Sequence, residues 1–156
     1  MEPQKYERKW EEMNRALKRL STFYKGLVQD GQDSFQGPQD FVRSFFHISY
    51  ELKESIKKAN NMPSTLSSDV EKFARCNQWV ALSLDIANQE KHVTLDRSRT
   101  GKKIGVITTN VHVLDPNGRD RTELKIEING KKEDCLELAK ETIDVWKAFL
   151  IEKKLI

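Results

Sequence analysis

The residues best suited to chemistry crowd into one stretch, Asp85-Ile86-Ala87-Asn88-Gln89-Glu90-Lys91-His92. A helix turns about 100° per residue, so Asp85, Asn88 and His92 fall within about 60° of one another, with Lys91 beside them. His92 is the candidate for acid–base work, because an unperturbed imidazole titrates near about 6.5 and exchanges protons at neutral pH. Asn88 is placed to hold that imidazole or a substrate oxygen, and Lys91 to neutralise a phosphate. Just downstream, Arg97, Arg99, Lys102 and Lys103 form the densest basic segment of the chain, which would attract a polyanion with a salt-dependent affinity. The candidate catalytic residues are therefore His92 and Asn88, and the candidate ligand-binding residues Asp85, Lys91, Arg97 and Arg99. The alternative is that the stretch is a hydrogen-bonded network joining its helix to the segment that follows, since polar groups on an inward face need partners.

Other chemistries find less support. No serine lies in a Gly-x-Ser-x-Gly turn, and neither Cys76 nor Cys135 has a histidine near it in sequence, which argues against a nucleophile. No glycine-rich loop follows a strand and opens a helix, so a dinucleotide or P-loop cradle is not expected. His47, His92 and His112 stand in different elements at no metal-ligating spacing, and no CxxC pair occurs; neither a metal nor another cofactor is expected. Cys76 and Cys135 read as two buried free thiols of a reducing cytoplasm. Arg43 and His47, four apart on a helix, form a second pair able to meet a phosphate.

The elements that must position these groups follow from periodicity. The chain has 156 residues, 37% apolar and a third charged, with a formal net charge of +3. That length suits one domain, and that charge alone is too small to argue for nucleic acid. Tyr6, Trp10, Met13, Leu17, Leu20, Phe23 or Tyr24, and Leu27 recur at helical steps, giving a first amphipathic helix from about Gln4 to Gln29. Its aromatic seam is also a candidate dimerisation surface. A loop around Gly31 to Gly37 leads to Pro38, a residue suited to a first helical turn. A second helix runs to about Asn60 with Phe41, Phe45, Ile48, Leu52 and Ile56 as its stripe. Ser67 or Ser68 would cap a third helix, from Ser68 to about Lys91. Val70, Phe73, Ala74, Asn77, Ala81 and Leu84 line one side of it, and Trp79, Leu82 and Ile86 a second, as expected of a central helix. Ile104 to Leu114 and Thr122 to Ile128 read as a β-hairpin around the turn Asp115-Pro116-Asn117-Gly118, with Leu124, Ile126 and Ile128 inward. The hairpin needs a helix, or the whole bundle, to pack on. After the turn Asn129-Gly130, a last helix runs from about Lys132 to Lys153 with Leu136, Ala139, Ile143, Trp146, Phe149 and Leu150 as its stripe. The expected fold is mainly α: one domain over 1–156, a bundle of about four helices with a hairpin at about 104–128 inserted before the last. No apolar run approaches the ~20 residues that span a bilayer, so a cytoplasmic protein with no membrane association is expected.

Ala87 to His92, Ala-Asn-Gln-Glu-Lys-His, stand in the frame of the Arg-x-x-x-x-His signature of HEPN domains, which this region resembles. Asn88 and His92 match the signature; Ala87 stands where it has Arg. The resemblance implies a small helical bundle that dimerises to pair two motifs. Where such a site is active, it implies a metal-independent endoribonuclease. In active members the Arg handles the scissile phosphate, so Ala87 weighs against cleavage. Residues 41 to 150 also resemble a bacterial family that carries Asp-x-Ala-Asn-x-x-Lys-His, present here as Asp85, Ala87, Asn88, Lys91 and His92. That family's earlier Trp-His-Leu-x-Asp-Trp-Ile stretch is matched in part by Tyr50 to Ile56, with Glu51 for His and Ser55 for Trp. Two functions follow as expectations. The first is a HEPN-like domain binding RNA or a nucleotide, with RNA or a nucleotide and a second copy of the chain as candidate partners. The second is a non-enzymatic interaction or dimerisation module in which the Asp85–His92 stretch is structural.

Overall fold

A computed structural model describes residues 2–25, 38–89, 99–112 and 121–156. The elements are helices α1 (Lys5–Tyr24), α2 (Pro38–Lys57), α3 (Leu66–Cys76) and α4 (Gln78–Gln89), strands β1 (Ile104–His112), β2 (Arg121–Ile128) and β3 (Lys131–Asp134), and helix α5 (Cys135–Glu152). The fold is mainly helical, with the antiparallel hairpin ahead of the last helix, as the periodicity implied. Leu27 and the turn at Asp115–Gly118 lie outside the described residues.

The expected third helix is two helices. Asn77 adopts an extended backbone (φ −84, ψ 119), which ends α3. Its side-chain oxygen then accepts from the backbone N–H groups of Trp79 (3.0 Å) and Val80 (3.2 Å). Asparagine competes with the helical backbone in this way, which makes it a capping residue rather than an interior one. The polar residue that periodicity placed on a continuous face is the break itself. α3 also starts earlier than expected, at Leu66, and the Ser68 hydroxyl donates to the Thr65 carbonyl (2.9 Å) instead of capping the helix. α4 is buried without interruption from Val80 to Ala87, in keeping with its central place beside α2, α3, α5 and β1.

The sheet has the order β1-β2-β3, antiparallel throughout. Leu124, Ile126 and Ile128 of β2 are buried, and β2 lies against α5 and α1 while β1 meets α2 and α4. Ile128 pairs directly with Lys131, leaving Asn129 (φ 51) and Gly130 (φ 77) as the two turn residues; positive φ at both is what a tight hairpin turn of matching twist requires. β3 was not expected. Its sequence, Lys-Lys-Glu-Asp, has no apolar alternation to announce a strand, and α5 begins only at Cys135. Asp134 closes β3 and caps α5, its carboxylate accepting from the Glu137 N–H (3.0 Å).

The core centres on Trp146, Phe45, Phe46, Met13, Leu20, Leu52, Leu84 and Leu150. Phe73 of α3 stacks on Phe149 of α5 (4.4 Å between ring centres) and meets Trp146 edge-on (5.2 Å), geometries that suit the ring quadrupoles. Tyr24 joins α1 to the sheet. Its hydroxyl accepts from the N–H groups of Leu124 and Leu136 (both 3.1 Å), with the Leu124 carbonyl and Asp134 Oδ1 at 2.9 Å to take its proton. Burial holds that phenol far above its ordinary titration range. The two thiols differ, contrary to expectation. Cys135 is buried and its thiol is pushed up to about 12 by burial, whereas Cys76 is exposed at the last turn of α3.

Candidate ligand-binding site

Asp85 is wholly buried on α4. A carboxylate is tolerated there only when it is hydrogen-bonded. Its oxygens accept from the Arg99 N–H (2.8 Å), the Thr100 N–H (2.9 Å) and the Thr100 hydroxyl (2.6 Å). The short hydroxyl contact is of the charge-assisted kind. One turn on, the Gln89 side-chain N–H₂ donates to the Ile104 carbonyl (2.8 Å). Further along the same segment, the Lys103 N–H donates to Asn129 Oδ1 (2.7 Å) and the Asn129 N–H to the Lys103 carbonyl (2.8 Å). Residues 99–104 are thus tied at one end to α4 and at the other to the β2–β3 turn. Gly101, at φ 69, takes the left-handed conformation that this path needs. The segment leaves Lys102 and Lys103 exposed and Arg99 half-buried.

The sequence-derived set therefore divides. Asp85 positions backbone, and the group of Arg99 that meets it is the N–H rather than the guanidinium. Asn88 is half-buried at the end of α4 and Ala87 is buried. Lys91, His92 and Arg97 lie outside the described residues.

A pocket of about 510 Å³ opens beside the last turns of α4. Ile86 and Gln89 of α4, Ile104, Gly105 and Ile107 of β1, Ile126 of β2 and Arg43 of α2 line it. Its size falls in the usual range of small-molecule sites; the isoleucines in its lining are almost wholly buried, and polar groups make up about as much of its surface as apolar ones. At Gly105 a Cβ would come within 2.9 Å of the Glu127 Cβ, so β1 passes close to β2 there and presents no side chain. The register of β1 against β2 shifts between Ile104 and Ile107. This irregularity re-aims strand side chains and leaves both isoleucines inward. The helical pairing of Arg43 with His47 had marked Arg43, but no pattern in the chain announced that four isoleucines from three elements would face it.

Arg43 is exposed, with Asp40 Oδ1 at 3.5 Å. His47 follows on the same face, its Nε2 3.6 Å from Glu51 Oε1. Glu51 is in turn bound by Lys9 of α1 (2.9 Å), which also holds Glu12 (2.8 Å). These contacts with its two glutamates hold the Lys9 amine above its ordinary range.

Among the described residues, no group of three or more His, Cys, Asp or Glu could hold a metal ion, and no helix is long and apolar enough to cross a membrane. Compared with models of protein families, with curated proteins and with solved structures, the chain matches none of them.

Proposed function

We propose that this chain is a HEPN-like helical domain that binds RNA or a nucleotide where α4 meets the hairpin. The observation that carries this reading is the pocket. Arg43 stands in its lining as a cation beside Gln89, and the pocket opens at the end of α4, the helix whose sequence runs on to Lys91 and His92. Asp85 supports the same reading from behind, because it fixes the segment bearing Arg99, Lys102 and Lys103 against α4. Ala87 occupies the position of the signature arginine and its side chain is buried, so binding, rather than RNA cleavage, is the activity assigned. The test is a fluorescence titration with short single-stranded RNA at two salt concentrations, with cleavage followed on a gel. Binding that weakens with salt, and weakens further in Lys91→Ala and Arg97→Ala, is expected from phosphate contacts. No binding at low salt would refute the reading.

A second reading is favoured by one observation, the complete burial of Asp85 and its hydrogen bonds to the 99–100 backbone. In it, the whole Asp85–His92 stretch is structural and the protein is an interaction module that works through another surface. His92→Ala separates the two. Under the first reading stability is kept and RNA binding falls. Under the second a lost buried hydrogen bond costs about 1–3 kcal/mol and RNA binding is absent throughout.

A further inference from the structure

Two lysine pairs far apart in sequence meet at the β2–β3 turn. Lys131 and Lys132 open β3 directly after the turn residues Asn129 and Gly130. Lys102 and Lys103 lead into β1, and the two hydrogen bonds between Lys103 and Asn129 (2.7 and 2.8 Å) set them against that turn. Lys102 is fixed as well. Its N–H donates to the Thr100 hydroxyl oxygen (3.1 Å), and Thr100 is held by Asp85. All four lysines are exposed, as are Gly101 and Gly130 beside them, and a Cβ at either glycine would meet nothing within 4 Å. Two carboxylates stand near. Glu133 lies 3.6 Å from Lys131, whose side chain is 80% exposed; an ion pair so exposed contributes little, and a phosphate can displace it. Glu127 is the register partner of Lys132, but its side chain lies over β1 at Gly105, where the missing Cβ leaves room for it, on the other side of β2 from Lys132. Among the described residues, Lys102, Lys103 and Lys132 form no ion pair.

We propose that these four lysines form one surface, assembled by the β2–β3 turn, that binds the phosphodiester backbone of single-stranded RNA. This rests on the chain being an RNA-binding domain and adds where the backbone runs: from the pocket at Ile104, over Lys103 and Lys102, to Lys131 and Lys132. The path is continuous with the pocket, because Ile104 and Gly105 follow Lys103 directly and line it. A lysine ammonium is a point charge on a flexible stem with three donors, so it meets phosphate oxygens without demanding a fixed geometry. Contacts of this kind position a strand and read no bases. Asn129 touches no phosphate and is a positioning residue, since its side chain is what holds one lysine pair beside the other. A lysine cluster that docks on an anionic membrane is accompanied by apolar side chains that enter the interface. Here the exposed large apolar residues are Ile151 and Ile156. Ile151 lies about 24 Å along α5 from Cys135, where β3 gives way to the helix.

The experiment is a fluorescence-anisotropy titration of the full chain with short oligouridylate and oligoadenylate RNA over a series of salt concentrations. It compares the wild type with Lys131→Gln plus Lys132→Gln, with Lys102→Gln plus Lys103→Gln, and with Asn129→Gly. A control of equal charge, Lys58→Gln plus Lys72→Gln, removes two exposed lysines just past α2 and on α3. For a single strand, each lost phosphate contact lowers the slope of log affinity against log salt by about 0.7. Each lysine double variant is therefore expected to lose about 1.4 of that slope and to weaken both RNAs by the same factor, while the control keeps the wild-type slope. Asn129→Gly retains the left-handed backbone and all four lysines but leaves the Lys103 N–H without its acceptor. It should flatten the slope toward that of the Lys102, Lys103 variant. If the wild type binds and Lys131→Gln plus Lys132→Gln keeps its slope, or the control lowers it as much, the surface is wrong and the RNA-binding reading stands. An unchanged slope in Asn129→Gly would mean that the turn does not assemble the surface, and the proposal falls there. No RNA binding at low salt overturns both. Binding to phosphatidylserine vesicles without RNA binding assigns the lysines to a membrane and also overturns both.

Discussion

Asp85 shows how far a residue's chemistry can be read from its spacing. Its position beside Asn88 at the end of a helix was legible, and so was the need for an inward carboxylate to find partners. The partners were not, because Arg99 and Thr100 lie beyond a segment whose path no local pattern specifies. Asp85→Ala would leave their N–H groups without an acceptor and is expected to cost about 2–3 kcal/mol in a denaturant unfolding experiment. Lys102→Ala and Lys103→Ala, at exposed positions, should change stability by less than about 0.5 kcal/mol. A second buried chain behaves alike. Trp146 Nε1 donates to the Ser49 hydroxyl (2.8 Å), and the Ser83 hydroxyl donates to the Val80 carbonyl (2.7 Å). Ser49 is therefore the donor in its 3.0 Å contact with Ser83. Ser49→Ala should orphan the indole N–H at the centre of the core and lower stability by about 1–3 kcal/mol, seen as a shifted unfolding midpoint with an unchanged slope.

At the scale of elements, amphipathic periodicity located α1, α2, α5 and β2, because each has one buried face and one solvated face, and richness in Val, Ile and Thr located β1. Periodicity failed where that condition fails. α4 is buried all round, so its pattern ran on into α3 and concealed the break at Asn77. β3 is polar throughout and owes its pairing to the backbone of β2. The contact between α2 and α3 carries a charge network that sequence alone did not place. Lys53 is almost wholly buried and lies 2.9 Å from Glu71 Oε1, with Lys57 at 2.7 Å from the same oxygen. The hydrogen bond from Lys57, and then those with Lys53, hold the Glu71 carboxyl down at about 2. A carboxyl depressed in the folded state stabilises it above the unfolded value of about 4.3, and that stabilisation is lost as pH falls toward about 2. Comparing wild type with Glu71→Gln by urea unfolding should therefore give a gap on the order of 2 kcal/mol at pH 6 that closes between about pH 4.5 and 2. A gap independent of pH would mean that the network contributes nothing as charge.

For the whole molecule, the legible part was the class of fold: a helical bundle with a hairpin before its last helix. That follows from which faces must be buried, a property local stretches of sequence carry. The pocket was not legible, since it exists only where α2, α4, β1 and β2 converge, and convergence depends on packing between distant segments. The central claim is that this convergence is where ligand binds. The most direct measurement is an amide chemical-shift titration of the isotopically labelled protein with a short single-stranded RNA. The expected result is a saturable set of shifts at Ile86, Gln89, Ile104, Gly105 and Ile107, with Arg43 moving at the same ligand concentrations. Shifts confined to α1 or to β3, or no shifts at low salt, would contradict it.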